Sequence, residues 1–308
     1  MENGMYKHAY LVMAHNNFGV LKKQLELLDD ERNDFFIHID QRAKDFNEAW
    51  LLQNIKYSKV QFIKREKVFW ADYSQTQVEI NLIREAINNR GEYAYLHLLS
   101  GADLPIKSKE YIFNFFLNDN RIYLCCMSSK DSYQKIRTRY YFPFINTNYY
   151  RKSKLVKGCS LALGILQSLI GINRHKKKGN YGICYCGWNW FSIPQDFAEY
   201  ILQNESKIYS TFHHTLASDE SFMQTVAMNS IFKERIYKLD SREEGAMRRI
   251  DWQRGGPYTF RTEDYDYIMS SPYLYARKFE ETIDSDIIDR IYQEVKNQNE
   301  IGKRELVR

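Results

Sequence analysis

A short apolar run, His8-Ala-Tyr-Leu-Val-Met-Ala14, stands near the start of the chain and has the composition of a buried strand. It ends at His15-Asn-Asn17, which is a turn signal. From Phe18 to Leu28 the apolar residues recur at helical spacing, and Phe35 to Asp40 is a second apolar run that ends in an acid. A strand, a helix and a strand at this spacing are typical of a parallel α/β sheet.

The same alternation continues up to Pro105. Val60 to Ile63 and Tyr93 to Leu99 have the composition of buried strands, and Ser74 to Ile87 between them is a predicted helix. The pattern therefore predicts an α/β fold with a mainly parallel central sheet flanked by helices.

Three polar residues, His15, Asp40 and Asp103, each come just after one of these predicted strands. Ligands of open α/β sheets bind outside the carboxyl ends of the strands. We therefore expect the three side chains to lie along one edge of the sheet.

The pattern is less regular beyond Arg121. Ile122 to Met127 and Tyr185 to Ile193 are further strand candidates, and Pro194 to Gln203 is a predicted helix. Ser218 to Met228 is a predicted helix with Ser218 as its cap, and the C-terminal part, Asp264 to Glu300, is predicted to be mostly helical.

No internal repeat and no linker rich in Pro, Gly or Ser interrupts the chain. We therefore predict a single domain over residues 1–308, with a nucleotide-binding half near 1–125 and an acceptor and catalytic half near 126–308.

Composition excludes several protein classes. With 308 residues, of which 44% are hydrophobic and 27% charged, the chain can bury a large core, and disorder and collagen are disfavoured. The net charge of +5 is compatible with anionic partners such as nucleotide-sugar phosphates or acidic lipid without requiring nucleic acid.

Cysteine usage predicts a cytoplasmic protein, because the five cysteines are odd in number and form no regular framework. Cys184-Tyr-Cys186 has one residue between its thiols and no matching second pair, so it is a poor zinc site. The N-terminus lacks the basic and apolar regions of a signal peptide, and no apolar run is long enough to span a bilayer.

Five sequence blocks occur in a fixed order along nearly the whole chain. They are Ala9-Tyr-Leu-Val-Met-Ala-His15 with Ile37-His-Ile-Asp40, Trp70-Ala-Asp-Tyr-Ser74, Leu98-Leu-Ser-Gly-Ala-Asp-Leu-Pro-Ile-Lys-Ser108, Ala217-Ser-Asp-Glu-Ser-Phe-Met-Gln-Thr225, and Asp251-Trp252 with Gly255-Gly-Pro257 and Tyr275-Ala-Arg-Lys-Phe-Glu280. In these blocks the sequence resembles a bacterial member of the core-2/I-branching β-1,6-N-acetylglucosaminyltransferase and peptide O-xylosyltransferase family, glycosyltransferase family 14.

The resemblance implies a GT-A-like fold, a UDP-sugar donor, inversion at the anomeric carbon and no required metal or other cofactor. The acceptor would be a glycan or a lipid-linked glycan in cell-surface polysaccharide synthesis. N-acetylglucosamine is the favoured sugar, and xylose is the alternative because the ending Tyr275-Ala-Arg-Lys-Phe-Glu280 is closer to the xylosyltransferase version.

Inverting sugar transfer needs one base to deprotonate the acceptor hydroxyl. Ser218-Asp219-Glu220 offers two carboxylates at a predicted helix start. Taken alone, these residues are better explained by a helix cap and by favourable interaction with the helix dipole. The resemblance instead assigns Glu220 as the catalytic base and Asp219 as an orienting residue.

The departing diphosphate needs positive charge. The Asp-x-Asp strings Asp264-Tyr-Asp266 and Asp284-Ser-Asp286 stand at predicted helix starts and follow no buried strand, so neither is interpreted as a metal site. Arg277 and Lys278 are adjacent cations that can neutralise a phosphate. The resemblance implies that they clamp the diphosphate, with Arg254 or Arg261 as a further contact.

The resemblance also assigns binding roles to the remaining motif residues. His15 and Asp40 would bind the nucleoside, and Asp103 would contact sugar unless it is only a turn-forming acid. The candidates for the sugar and acceptor side are Trp70, Asp72, Trp188, Trp190 and Trp252. The block Trp70-Ala-Asp-Tyr-Ser74 is explained equally well as a strand end that runs into a capped helix. Trp188 and Trp190, which alternate in a predicted strand, are also explained by core packing.

The segment 155–172 is mostly apolar, and basic clusters flank it on both sides. Two interpretations fit this composition. One is an interfacial helix by which residues 151–178 contact an anionic membrane, which would make the protein peripheral on the inner face of the cell membrane. The other is a helix buried between sheet elements.

Two other functional classes also fit parts of the sequence. A catalytically silent glycan-binding protein would use the same fold without turnover. A nucleic-acid-binding protein would use Arg137-Thr-Arg139-Tyr-Tyr141 and Lys176 to Lys178, but these basic runs are short and separated, so we expect no nucleic-acid partner.

Overall fold

A computed structural model describes residues 6–89, 92–128, 132–145, 147, 150 and 152–306. Within them the strands are β1 (Lys7–Ala14), β2 (Asn33–Ile39), β3 (Lys59–Phe62), β4 (Tyr93–Ser100), β5 (Asp103–Pro105), β6 (Tyr123–Leu124), β7 (Phe191–Pro194), β8 (Arg248–Ile250) and β9 (Tyr275–Arg277).

The α-helices of the same residues are α1 (Phe18–Leu28), α2 (Glu48–Leu52), α3 (Tyr73–Asn88), α4 (Lys109–Phe116), α5 (Ser132–Arg139), α6 (Lys154–Leu169), α7 (Gln195–Gln203), α8 (Glu205–Phe212), α9 (Phe222–Met228), α10 (Glu243–Ala246), α11 (Tyr265–Met269) and α12 (Ser285–Leu306). Short 3-10 helices cover Arg174–Lys176, Ser218–Glu220, Ile231–Arg235 and Thr262–Asp264.

The chain groups into two compact units, each built from separate stretches of sequence. Unit A comprises the described residues of Met1–Arg65, Asn88–Asn120 and Met247–Arg308, and unit B comprises those of Glu66–Ile87 and Arg121–Ala246. The single domain with halves near 1–125 and 126–308 stays a prediction.

Unit A contains a parallel sheet in which β1 pairs with β2 on one side and with β4 on the other, and β2 pairs with β3. The central strands are buried on both faces, which is why their sequences are continuously apolar rather than alternating. The predicted α/β class with a mainly parallel sheet is confirmed, and α1 has the predicted bounds.

A buried core joins α1 to the C-terminal elements of unit A. Val20 and Leu27 of α1 pack in one buried cluster with Ala276 of β9 and with Ile288 and Ile291 of α12. This packing holds β9 and α12 against α1.

A second sheet of unit A was missed by the sequence prediction. β5 pairs antiparallel with β9, and β8 pairs parallel with β9, so Asp103 stands opposite Arg277. The expectation of a mostly helical C-terminal part is therefore wrong at β9. Three residues are too few to show a period of two, and the strand depends on its distant partners.

Three predictions in unit B need correction. The strand predicted over Ile122 to Met127 is only β6, and β7 begins at Phe191 rather than at Tyr185. Ser218 does not cap the following helix, because its hydroxyl is hydrogen-bonded to the Thr76 hydroxyl of α3 at 2.7 Å. The chain makes a 3-10 turn there before α9 starts.

The interpretation of segment 155–172 as a buried helix is wrong. Only Ser160, Gly164 and Gln167 of α6 are buried, whereas most of its apolar side chains are exposed. Among the described residues, no helix combines the length and apolar character needed to cross a bilayer. Arg151, in the basic cluster before α6, lies outside those residues.

We predict that Asp29 stabilises the connection from α1 to β3. Its carboxylate accepts hydrogen bonds from the backbone N–H groups of Lys56, Tyr57 and Ser58 at 2.9, 3.0 and 2.9 Å. Asp29→Ala leaves these donors without their acceptor, so we expect a loss of about 1–3 kcal/mol in the free energy of unfolding, measured with urea. The exposed Asp45→Ala is the control, and equal losses in both variants would contradict the assignment.

Candidate active site

The carboxyl ends of three strands meet at one edge of the unit A sheet. The backbone N–H of Asp40 donates to the Ala14 carbonyl at 2.9 Å, and that of Gly101 donates to the Met13 carbonyl at 3.0 Å. The residues that follow β1, β2 and β4 are therefore neighbours. The predicted common edge for His15, Asp40 and Asp103 is confirmed.

At this edge Asp40 is bound by Arg42. Its buried carboxylate accepts from the Arg42 backbone N–H at 2.8 Å and from Nε and Nη2 of the same guanidinium at 3.0 and 2.8 Å. Arg65 donates to the carbonyls of Asp40 and Ala43 and so fixes the loop. Arg42 is thus held at the edge by Asp40, the predicted nucleoside residue.

His15 lies at the same edge, within electrostatic range of the predicted phosphate clamp. Desolvation lowers its pKa from the ordinary value; Asp40 acts in the opposite direction, and Arg277, Lys278 and Arg42 lower the pKa further. The imidazole is therefore neutral at pH 7, with one nitrogen able to donate a hydrogen bond and the other able to accept one.

Arg277 is positioned by Asp103. Its Nη1 donates to Oδ1 of Asp103 at 2.7 Å and also to the Ser100 hydroxyl. Asp103 further accepts from the Ser100 backbone N–H at 2.6 Å and from its hydroxyl at 3.0 Å. The structure thus gives this buried carboxylate a positioning task, and its direct contact with sugar stays a prediction.

The other residues predicted to contact phosphate differ in the ion pairs and hydrogen bonds that they form. Lys278 pairs with Glu280 at 3.1 Å and is partly exposed. The guanidinium of Arg254 binds two carboxylates, with Nε 2.6 Å from Asp251 and Nη1 2.7 Å from Asp264. Arg261 is exposed, and its backbone N–H donates to Asp264. The phosphate contacts of all four residues stay predictions.

In unit B, Glu220 ends the 3-10 turn that precedes α9. Its Oε2 accepts from Nη2 of Arg137 at 2.6 Å, and its carbonyl accepts from the Gly187 backbone N–H at 2.9 Å. A Cβ on Gly187 would lie 1.6 Å from the Cys125 carbonyl oxygen, so only glycine allows this close approach. Glu220 is thereby fixed at both ends yet keeps about a third of its side chain exposed, at 37%.

Asp219 next to it is buried, and its Oδ1 has no hydrogen-bond partner among the described residues. Burial and the charge of Glu220 raise the pKa of Asp219 to about 7, against the opposing effect of Arg137. Glu79 of α3 is also fully buried, and burial together with the charge of Asp219 raises its pKa well above the ordinary value, while the influence of Asn189 lowers it.

The sequence did not predict that Glu79 and Arg137 interact with the carboxylates of Asp219 and Glu220. Glu79 could have been found, because it is a carboxylate on the mostly apolar buried face of α3. Arg137 was assigned to the nucleic-acid alternative, but its side chain is only 12% exposed and is bound to Glu220. No local signal links two residues that lie 83 positions apart.

The aromatic candidates are placed as follows. Trp70 and Trp252 are exposed, whereas Trp188 and Trp190 are half-buried in the chain leading to β7. Asp72 accepts from the Ser74 backbone N–H at 2.9 Å at the start of α3, which agrees with the capping interpretation. Their contacts with sugar stay predictions.

The acidic and thiol groups considered for metal binding have other roles. Asp264 accepts from Arg254 and from the Arg261 backbone, and Asp284 accepts from Thr262 and from the Ile287 backbone at the start of α12. Burial raises the pKa of the Cys184 thiol to about 12. Across the part of the chain that the structure describes, no three His, Cys, Asp or Glu side chains cluster as metal ligands.

The raised pKa of Asp219 predicts a pH-dependent stability. Between about pH 4 and pH 7 the folded state holds a proton on Asp219 that the unfolded state has lost, so stability falls as the pH rises. In Asp219→Asn we expect a shallower fall of the thermal midpoint over this range and a higher midpoint than wild type at pH 8. Parallel curves for wild type and Asp219→Asn would contradict the assignment; the exposed Asp45→Asn is the control and should follow wild type.

Comparison with known proteins identifies the family. The Core-2/I-Branching enzyme model matches residues 8–269. Human xylosyltransferase 2 is 23% identical over 314 residues, which cover 94% of this chain and 34% of that protein. Human N-acetyllactosaminide beta-1,6-N-acetylglucosaminyl-transferase is 21% identical over 296 residues, which cover 91% of this chain and 69% of that protein. The chain thus spans about a third of the xylosyltransferases that it matches.

The crystal structure of mouse xyloside xylosyltransferase 1, apo form, is a distant structural neighbour. It covers 87% of this chain and 96% of its own chain, with 11% sequence identity and a TM-score of 0.37, a likeness too small to carry an argument. The family match, in contrast, extends over most of the sequence and includes four of the five motif blocks in full. The chain therefore belongs to the Core-2/I-Branching enzyme family.

Proposed function

We propose that this protein is an inverting glycosyltransferase that needs no metal ion. It transfers a sugar from a UDP-sugar donor to a hydroxyl of a glycan or lipid-linked glycan, in the cytoplasm and in the course of cell-surface polysaccharide synthesis. N-acetylglucosamine is the favoured sugar, and xylose is the alternative. The observation that carries the proposal is the fixed, partly exposed carboxylate of Glu220, bound by Arg137 at 2.6 Å.

Glu220 acts as the base. As the acceptor oxygen attacks the anomeric carbon, the carboxylate takes the hydroxyl proton, the new C–O bond forms, and the bond to the diphosphate oxygen breaks. One displacement inverts the anomeric centre, so one base is sufficient. Arg137 and the Gly187 N–H orient Glu220, and the neighbouring buried Asp219 supports the turn on which it stands.

Arg277 and Lys278 neutralise the charge that develops on the departing UDP. Charge-assisted hydrogen bonds from fixed cations are stronger than neutral ones and need no reorganisation during the reaction. Asp103 and Ser100 hold the Arg277 guanidinium in place. His15 and the Asp40–Arg42 pair at the same edge bind the nucleoside.

The base assignment predicts a separation of turnover from binding. Glu220→Gln keeps the size of the side chain but removes its basicity, so we expect kcat to fall by about 10²–10⁴-fold. The dissociation constant for UDP, measured by calorimetry, should stay near that of wild type. The exposed Glu234→Gln serves as the control and should keep full activity. Near-normal turnover in Glu220→Gln would rule out its role as the base.

The clamp assignment predicts a selective loss of phosphate binding. Arg277→Ala removes a charge-assisted contact of about 1.5–3 kcal/mol, so UDP should bind roughly ten- to a hundredfold more weakly. Uridine, which lacks phosphate, should bind Arg277→Ala as it binds wild type. Because this variant leaves Asp103 without its cation, Arg277→Lys and a thermal midpoint for each variant separate lost binding from lost folding.

The same assays test metal independence. If the clamp acts without a metal ion, EDTA leaves both UDP binding and transfer unchanged. Loss of transfer on chelation that Mn²⁺ restores would overturn this part of the proposal, while leaving the base assignment to the Glu220→Gln result.

A further inference from the structure

The helix α6 has an inverted distribution of side chains. Its buried positions are Ser160, Gly164 and Gln167, which recur at helical spacing on one face. Six large apolar side chains on α6 and just after it are exposed, between 52% and 79%: Leu155, Leu161, Ile165, Leu166, Leu169 and Ile170. A helix on a water-exposed surface would have the opposite arrangement.

This exposure does not come from a loosely attached helix. The Gln167 side chain accepts from the Tyr141 backbone N–H at 2.8 Å and donates to the Tyr141 carbonyl at 2.9 Å. Ser153 caps the N-terminus of α6 through the Val156 N–H, and Val156 packs against a buried cluster that contains Tyr140. The apolar face is thus held outward by defined contacts.

The surrounding segment is strongly basic. Residues 132–195 contain no Asp or Glu, whereas the net charge of the whole chain is only +5, so the rest of the chain is net acidic. The segment holds eleven basic residues: Lys135, Arg137, Arg139, Arg151, Lys152, Lys154, Lys157, Arg174, Lys176, Lys177 and Lys178.

The basic turn Lys176 to Lys178 is anchored at the C-terminal end of α6. Arg174 is buried and donates to the carbonyls of Ser210 and Thr211 at 3.0 and 2.9 Å, so the exposed lysines after it project from a fixed base. At the other end of the helix Lys152, Lys154 and Lys157 are exposed. Exposed cations therefore stand at both ends of the apolar face.

We propose that α6 and the turn Lys176 to Lys178 form a docking surface for an anionic lipid membrane. The 16-residue helix, about 24 Å long, lies in the plane of the interface with its leucines among the acyl chains. The lysines at its ends bind the lipid headgroups. This inference concerns attachment and does not depend on the chemistry proposed for Glu220.

Charge favours lipid over a second copy of this chain. A symmetric dimer through α6 would bring two acid-free, basic segments against each other. Anionic headgroups instead complement the lysines, while the acyl region accepts the apolar face that water leaves unpartnered.

The test is co-sedimentation with vesicles of phosphatidylcholine and phosphatidylglycerol at seven to three, compared with pure phosphatidylcholine. Wild type should bind the anionic vesicles, and binding should weaken as salt screens the lysines. Replacing Lys176, Lys177 and Lys178 by serine should weaken binding on the order of a hundredfold, at about 1 kcal/mol per charge. Replacing the exposed Lys56, Lys59 and Lys64 by serine is the control and should change little.

The apolar contribution is tested separately with Leu166→Glu combined with Leu169→Glu. Both positions are exposed, so folding should be kept, which circular dichroism verifies, and vesicle binding should be lost. Ile231→Glu, at an exposed apolar position outside the segment, should bind as wild type does. The proposal would be overturned if wild type did not bind the vesicles or if the double variant bound as wild type does. It would also be overturned if wild type were a dimer that the double substitution dissociates.

Discussion

The ion pair between Arg277 and Asp103 determines the arrangement of the unit A edge. Asp103 is buried, and a buried carboxylate is stable only when cations or hydrogen-bond donors satisfy it. Here Ser100 and Arg277 supply those donors, while the pairing of β5 with β9 sets the two residues opposite each other. The position of the guanidinium is therefore specified twice, by strand register and by charge.

The Asp103 carboxylate holds Arg277 in place, but its negative charge also compensates part of the positive charge of the guanidinium. The positive charges at this edge still act on their surroundings. Besides desolvation, Arg277, Lys278 and Arg42 each lower the pKa of His15. In unit B the arrangement is the reverse. Glu79 and Asp219 are buried, which raises their pKa values, whereas the ion pair with Arg137 is made by the more exposed Glu220. Unit B thus combines two buried acids whose pKa values are raised with a more exposed carboxylate that has its own cation.

The sequence predicted those parts of the fold that repeat locally. β1, β2, β4 and α1 have several residues each, so their periodicity or continuous apolar character is visible in a short window. It did not predict β9, whose three residues become a strand only because β5 and β8 lie on either side.

The local sequence pattern also could not predict side-chain roles that depend on partners far away in the sequence. Ser218 was expected to cap a helix. Its hydroxyl is instead hydrogen-bonded to the hydroxyl of Thr76, which lies 142 positions away in the sequence. The motif blocks located Glu220 and Arg277 in the sequence, whereas the partners that orient them, Arg137 and Asp103, become apparent only from the contacts. Composition gave the apolar and basic character of α6 but not which face turns outward, because the Gln167 bonds to Tyr141 decide that.

The direction of that face matters because it reduces stability in water. Leaving a leucine exposed forgoes about 1.5–3 kcal/mol of burial, and α6 does so repeatedly while burying Ser160, whose hydroxyl has no partner among the described residues. The acid-free segment adds repulsion between like charges. Separately, either feature would be a minor loss. Under our membrane proposal, the acyl region of an acidic bilayer would offset the first loss and its anionic headgroups the second.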